Sequence, residues 1–134
     1  MISGNDSLAE GVIEALSEHR QIGKVYVVGQ DADLWACQRI VEGTQLMTVY
    51  KPIEKLAEAT IECAIKLVKN EPLEIDKRIF DGKYYVPYYV LEPIAVDKNN
   101  MDDTIIRDGF HLKDEVYTKQ WINRVIFCNK KLPC

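Results

Sequence analysis

The sequence predicts an α/β domain in which helices alternate with the short strands of a parallel sheet. Three observations carry that prediction. Helical spacing of apolar residues recurs in three separate stretches, and short β-branched runs lie between them. One of those runs is apolar without alternation, as in a strand buried on both faces. The order is then helix, strand, helix, strand, helix, which is the rhythm of right-handed βαβ crossovers.

The first helix covers residues 6–20, "DSLAEGVIEALSEHR", with Leu8, Val12, Ala15 and Leu16 on one face. Asp6 or Ser7 caps it, and Glu10, three residues after Ser7, completes a capping-box pattern. Gly23 ends the stretch, and "KVYVVG" follows as the doubly buried strand. Residues 32–42 return to helical spacing through Leu34, Cys37, Ile40 and Val41, and Gly43 closes that helix. "QLMTVY" is the second strand. Pro52 then stands at or just before a first helical turn, where its missing N–H costs nothing. Residues 53–69 form the clearest helix, with a stripe through Ile53, Leu56, Ala57, Thr60, Ile61, Ala64, Ile65 and Leu67 or Val68.

After residue 70 the rhythm changes. "NEPLEIDKRIFDGKYY" is loop-rich, and "VPYYVLEPIAVD" is extended, because each proline removes a sheet donor and biases its predecessor to β geometry. "DKNNMDDTIIRDGFH" reads as a terminal loop with one or two helical turns. Ahead of the first helix stands only "MISG", so "MIS" reads as the stub of a strand, as a cut through a larger domain would leave it.

A hydrophobic content of 47% over 134 residues allows one core. The net charge of −4 argues against nucleic acid as a partner, since phosphate binding needs a basic face. The charge is uneven. Residues 118–134 hold four basic and no acidic residues, while residues 1–117 hold 13 basic and 21 acidic, net −8. The tail therefore reads as a foreign or disordered terminus, with a basic contact arm as the alternative. Cys37 and Cys63 fall on apolar helical faces, and no cysteine pair has zinc or redox spacing. No window is apolar enough to span a membrane. The first ten residues lack the basic start and apolar stretch of a signal peptide.

In open α/β sheets, ligands bind at the carboxyl ends of the strands. Asn5, Asp31 and Lys51 fall at three such ends, after the stub and the two strands. An amide, a carboxylate and an ammonium together suit a polyhydroxyl ligand, whose groups both donate and accept. Asp33, and less readily Asp31, also reads as a cap of helix 32–42, and Lys51 as a solvated lysine. Asp31-x-Asp33 resembles the start of a calcium loop but lacks its glycine and closing glutamate, so no metal is expected. His19 sits at a helix C-terminus, where positive charge is favourable, and His111 in a terminal loop. Trp35 reads as core rather than as a sugar-stacking ring. No G-x-S-x-G elbow and no phosphate loop occurs, so neither an enzyme nor a cofactor is expected.

The run "GQDADLWACQRIVEGTQLMTVYKP" closely resembles the C-terminal lobe of bacterial D-xylose-binding proteins. The similarity extends from "SGND" to "DGFH" at 108–111 and includes "LEPIAVDKNNMDDTIIRDGFH". These are type I periplasmic sugar-binding proteins of ABC transporters, of the ribose/galactose class. The resemblance implies a three-layer αβα lobe with a parallel sheet, represented here incompletely by residues 1–96. It implies that 97–117 lies near the hinge, and that Asn5, Asp31 and Lys51 bind the sugar. The implied ligand is D-xylose or a similar pyranose, held against an N-terminal lobe that this chain does not carry. The implied partner is the membrane permease of an ABC transporter, with the longer protein extracytoplasmic. A xylose-sensing partner of a membrane histidine kinase, or the effector lobe of a sugar-responsive regulator, are the alternatives.

Overall fold

The computed structural model describes residues 1–118, so all of the tail expected over 118–134 except its first residue lies outside the described residues. The chain divides into two compact units: Met1–Tyr50 with the segment from Ile94 on, and Lys51–Pro93. No helix among the described residues is long and apolar enough to cross a membrane.

The first unit is built on a sheet of short strands. Ile2 bridges Val28, and Val28 bridges Met47, both in parallel. The ladder runs through Ser3 N–H to the Val28 carbonyl (2.9 Å), Leu46 N–H to Val27 (2.8 Å), Gly29 N–H to Met47 (3.1 Å) and Asp31 N–H to Val49 (2.9 Å). The parallel arrangement and the strand stub are therefore as the sequence predicts. Strand β1, Thr48–Tyr50, also pairs with β4, Ile94–Val96, in antiparallel register. Tyr50 lies opposite Ile94 and Thr48 opposite Val96. Full burial of the run 25–28 is corrected: Val27 is buried, but Tyr26 is 71% exposed.

Two helices cover this sheet through separate apolar clusters. Helix α1, Asp6–Glu18, packs Ala9 and Ile13 on Val27. Helix α2, Leu34–Glu42, packs Cys37 and Ile40 with Tyr50, Val96, Met101, Ile105 and Val116. Gly43 ends α2 at φ 86°, and its N–H reaches the Arg39 and Ile40 carbonyls; a Cβ there would be strained. Trp35 is half-buried, with the Arg39 guanidinium 4.2 Å over its ring, rather than a core residue. The expected loop at 97–111 holds a π-helical turn, Asp102–Ile106, and the short helix α4, Lys113–Val116, follows.

The second unit contains α3, Ile53–Val68, with Pro52 at its N-cap position. The helix forms as its spacing predicts, but its apolar stripe is not covered: α3 buries no residue. The loop-rich reading of 70–85 is also corrected. Strands β2, Arg78–Phe80, and β3, Tyr85–Pro87, form an antiparallel hairpin with Phe80 opposite Tyr85. Asp81 closes its turn by accepting from the Lys83 and Tyr84 N–H groups at 2.8 and 2.7 Å.

Candidate functional site

Asp31 is the last ladder-bonded residue of its strand, and the backbone turns sharply there. Asp31 has φ 102° and Ala32 has φ 57°, two consecutive non-glycine residues in the left-handed region. Such residues each cost about 1–3 kcal/mol and persist only where their surroundings impose the conformation. Helix α2 begins two residues later. Asp33 occupies its N-cap position, but its side chain makes no capping hydrogen bond; its backbone carbonyl accepts from Ala36 and Cys37 at 2.9 Å. The negative charge still sits at a helix N-terminus, where it is favourable.

Beneath this turn lies a buried carboxylate that the sequence reading takes for a helix cap. Asp6 is 0% exposed. Its Oδ1 accepts from Gln45 Nε2 at 2.8 Å, and its Oδ2 accepts from Thr48 Oγ1 at 2.8 Å and from the Asp33 N–H at 3.1 Å. Its own N–H donates to the Gln30 carbonyl at 2.8 Å. Three donors on one acceptor-only group satisfy what burial would otherwise penalise. Thr48 Oγ1 in turn accepts from the Ala32 N–H at 3.2 Å. Gly29 leaves room for the carboxylate.

With Asp6 drawn inward, Asn5 is the residue that caps α1, its Oδ1 accepting from the Leu8 N–H at 2.9 Å. This corrects the expectation of Asp6 or Ser7. The bond between Asp6 and Gln30 sets Asn5 and Asp31 at adjoining chain positions on one end of the sheet. Lys51 follows β1 directly in sequence, is exposed, and is the first residue of the second unit. The structure thus brings two of the three sequence-predicted positions together.

The electrostatics follow from this crowding of acids. The Asp33 carboxyl is held above its ordinary value of 3.8, first by burial and then by the charges of Asp6 and Asp31, with His111 and Arg39 opposing. Burial likewise pushes the Cys37 thiol up to about 12, so it behaves as a small apolar group. His111 Nε2 lies 2.8 Å from the Ala32 carbonyl, bracing the turn from the far side. Phe110 packs between Tyr50 and His111 in tilted contacts, with ring centroids 4.9 and 4.6 Å away. Asp6 and His111 are therefore site-building residues whose role spacing alone does not reveal. Among the described residues no group of three His, Cys, Asp or Glu side chains converges as a metal site.

Comparison with known proteins gives one consistent result. The model of the periplasmic binding protein domain matches residues 1–72. The chain is 51% identical over 117 residues to a D-xylose-binding periplasmic protein of Haemophilus influenzae and 46% identical over 116 residues to one of Escherichia coli. Each match covers 87% of this chain, and the chain spans 35% of the length of either relative. Among solved structures, a carbohydrate transporter solute-binding protein from Chloroflexus aurantiacus, in complex with D-glucose, superposes with a TM-score of 0.76 at 26% identity. That match covers 85% of this chain and 34% of the other.

Proposed function

The chain belongs to the periplasmic binding protein domain family, and from that premise we propose that it is the incomplete C-terminal lobe of a D-xylose-binding component of an ABC transporter. The role is binding, not catalysis. Residues 1–96 form the sugar-binding lobe and 97–117 the segment near the hinge. In the longer protein the lobes close over one pyranose, and sugar contacts made only in the closed form drive that closure. The closed form engages a membrane permease outside the cytoplasm. D-xylose-binding relatives at 46–51% identity support the choice of sugar.

The observation that carries the reading is the backbone of Asp31. A carboxylate at a strand's carboxyl end, presented from a left-handed turn and braced by a buried network, is a preorganised hydrogen-bond acceptor. Asp31 accepts from sugar hydroxyls and Lys51 donates to one. Asn5 spends its Oδ1 on the helix cap, so its Nδ2 is the group it offers to a sugar oxygen. Isothermal titration of D-xylose into the longer protein and its Asp31→Ala and Lys51→Ala variants tests this. Undiminished affinity in both variants would overturn the assignment.

A further inference from the structure

We infer that Asp6 is a positioning residue for the sugar-binding turn, holding Asp31 and Ala32 in their left-handed conformation from both ends. The inference rests on the reading of Asp31 as the sugar acceptor and adds the device that aims it. Asp6 touches the turn at three places. Its N–H takes the Gln30 carbonyl, the residue before the turn. Its Oδ2 takes the Asp33 N–H, the residue after it. Through Thr48 Oγ1, which donates to Asp6 and accepts from Ala32 N–H, it reaches the middle. A hydroxyl can do both at once, because it has one proton and two lone pairs.

The chemistry of this arrangement points to positioning rather than to bulk stability alone. The two left-handed residues are flanked by bonds to one residue: the Asp6 backbone N–H holds the Gln30 carbonyl before them, and the buried Asp6 side chain holds the Asp33 N–H after them. Gln45 Nε2 holds the other carboxylate oxygen, so the group cannot rotate without leaving a buried donor unpaired. The site's main chain is thus fixed by a group that does not itself face the ligand.

The test is made on the labelled full chain by NMR. Backbone carbon shifts of Asp31 and Ala32 report the sign of φ, and amide exchange reports the bonds to Ala32 and Asp33. Thr48→Val should raise Ala32 amide exchange about tenfold, the loss of one modest hydrogen bond, and move both residues' shifts off left-handed values. Thr48→Ser should restore both. Asp6→Asn keeps the shape but turns one of two accepting oxygens into a donor and leaves the other a weaker neutral acceptor, so Asp33 amide exchange should rise even with the fold intact. Ile105→Val, a core control, should change none of these signals. Unchanged Asp31 and Ala32 shifts in Thr48→Val, or unchanged Asp33 exchange in Asp6→Asn, would overturn the proposal. The NMR readout needs no sugar. Failure of the longer protein to bind D-xylose would therefore count against the sugar assignment and leave the positioning result standing.

Discussion

Gly29 and Asp6 are in direct apposition: a Cβ on Gly29 would lie 2.1 Å from Asp6 Oδ1 and 3.1 Å from Gln45 Nε2. The glycine is there for space, since its backbone lies outside the left-handed region. Gly29→Ala should therefore destabilise the protein by about 2–3 kcal/mol, through overpacking and through broken buried hydrogen bonds. A chemical denaturation midpoint equal to that of the parent would show that the carboxylate can shift freely.

Asp31 carries opposite consequences for stability and for binding. Asp31→Gly removes the penalty of a side chain at φ 102° and should stabilise the fold by about 1 kcal/mol. The same change should weaken D-xylose binding by the longer protein by about 2–4 kcal/mol, the effect of deleting a charged hydrogen-bonding group. Thermal melts and titration calorimetry on one preparation read both effects, and a variant that loses stability contradicts the strain assignment.

Asp33 sets a pH dependence of unusual sign for a carboxylate. Its folded-state proton affinity is raised by burial and by the neighbouring charges of Asp6 and Asp31. The native state therefore binds the proton more tightly than the unfolded state does. Its contribution to stability falls as pH rises from the ordinary value of 3.8 through the folded value, and the whole penalty persists above. Asp33→Asn should melt higher than the parent at neutral pH, by a small amount because solvent screens the site. The advantage should vanish below about pH 3. A difference that is the same at both pH values would refute this origin.

Helix α3 exposes Leu56, Ile61 and Ile65, with Ile61 at 60%. Open apolar stripes of this kind favour association. Ile61→Lys with Ile65→Lys should shift sedimentation of the chain towards monomer. The stability change should stay within about 0.5 kcal/mol, as expected for exposed positions. A larger loss would mean that the stripe is packed.

The alternation of helices and parallel strands was legible because it is local. Leu34, Cys37 and Ile40 announce α2 by spacing, and Gly43 announces its end. The cap of α1 was not, because Asn5, Asp6 and Ser7 are all good capping residues, and the choice is made by partners far away. Gln45 and Thr48 draw Asp6 inward from 39 and 42 residues along the chain. The hairpin at 78–87 was announced by Asp81-Gly82 between two β-rich runs, a turn signal that a loop-rich reading passes over. The position of Asp31 at a strand end followed from pattern. Its left-handed backbone did not, since aspartate adopts such a φ only occasionally and alanine at the next position gives no local signal for it.

The Asp6 carboxylate also bears on how the protein assembles. Its bonds join segments separated by 27, 39 and 42 residues, and the full set forms only when three strands lie beside one another. Slipping any strand by one residue would turn Thr48 or Gly29 to the opposite face and leave a buried charge without donors. The same group that aims the turn thus penalises misregistered sheets during folding. A molecule that has threaded its strands incorrectly loses the left-handed turn at Asp31 and Ala32 at the same moment, so an intact turn marks a sheet in correct register.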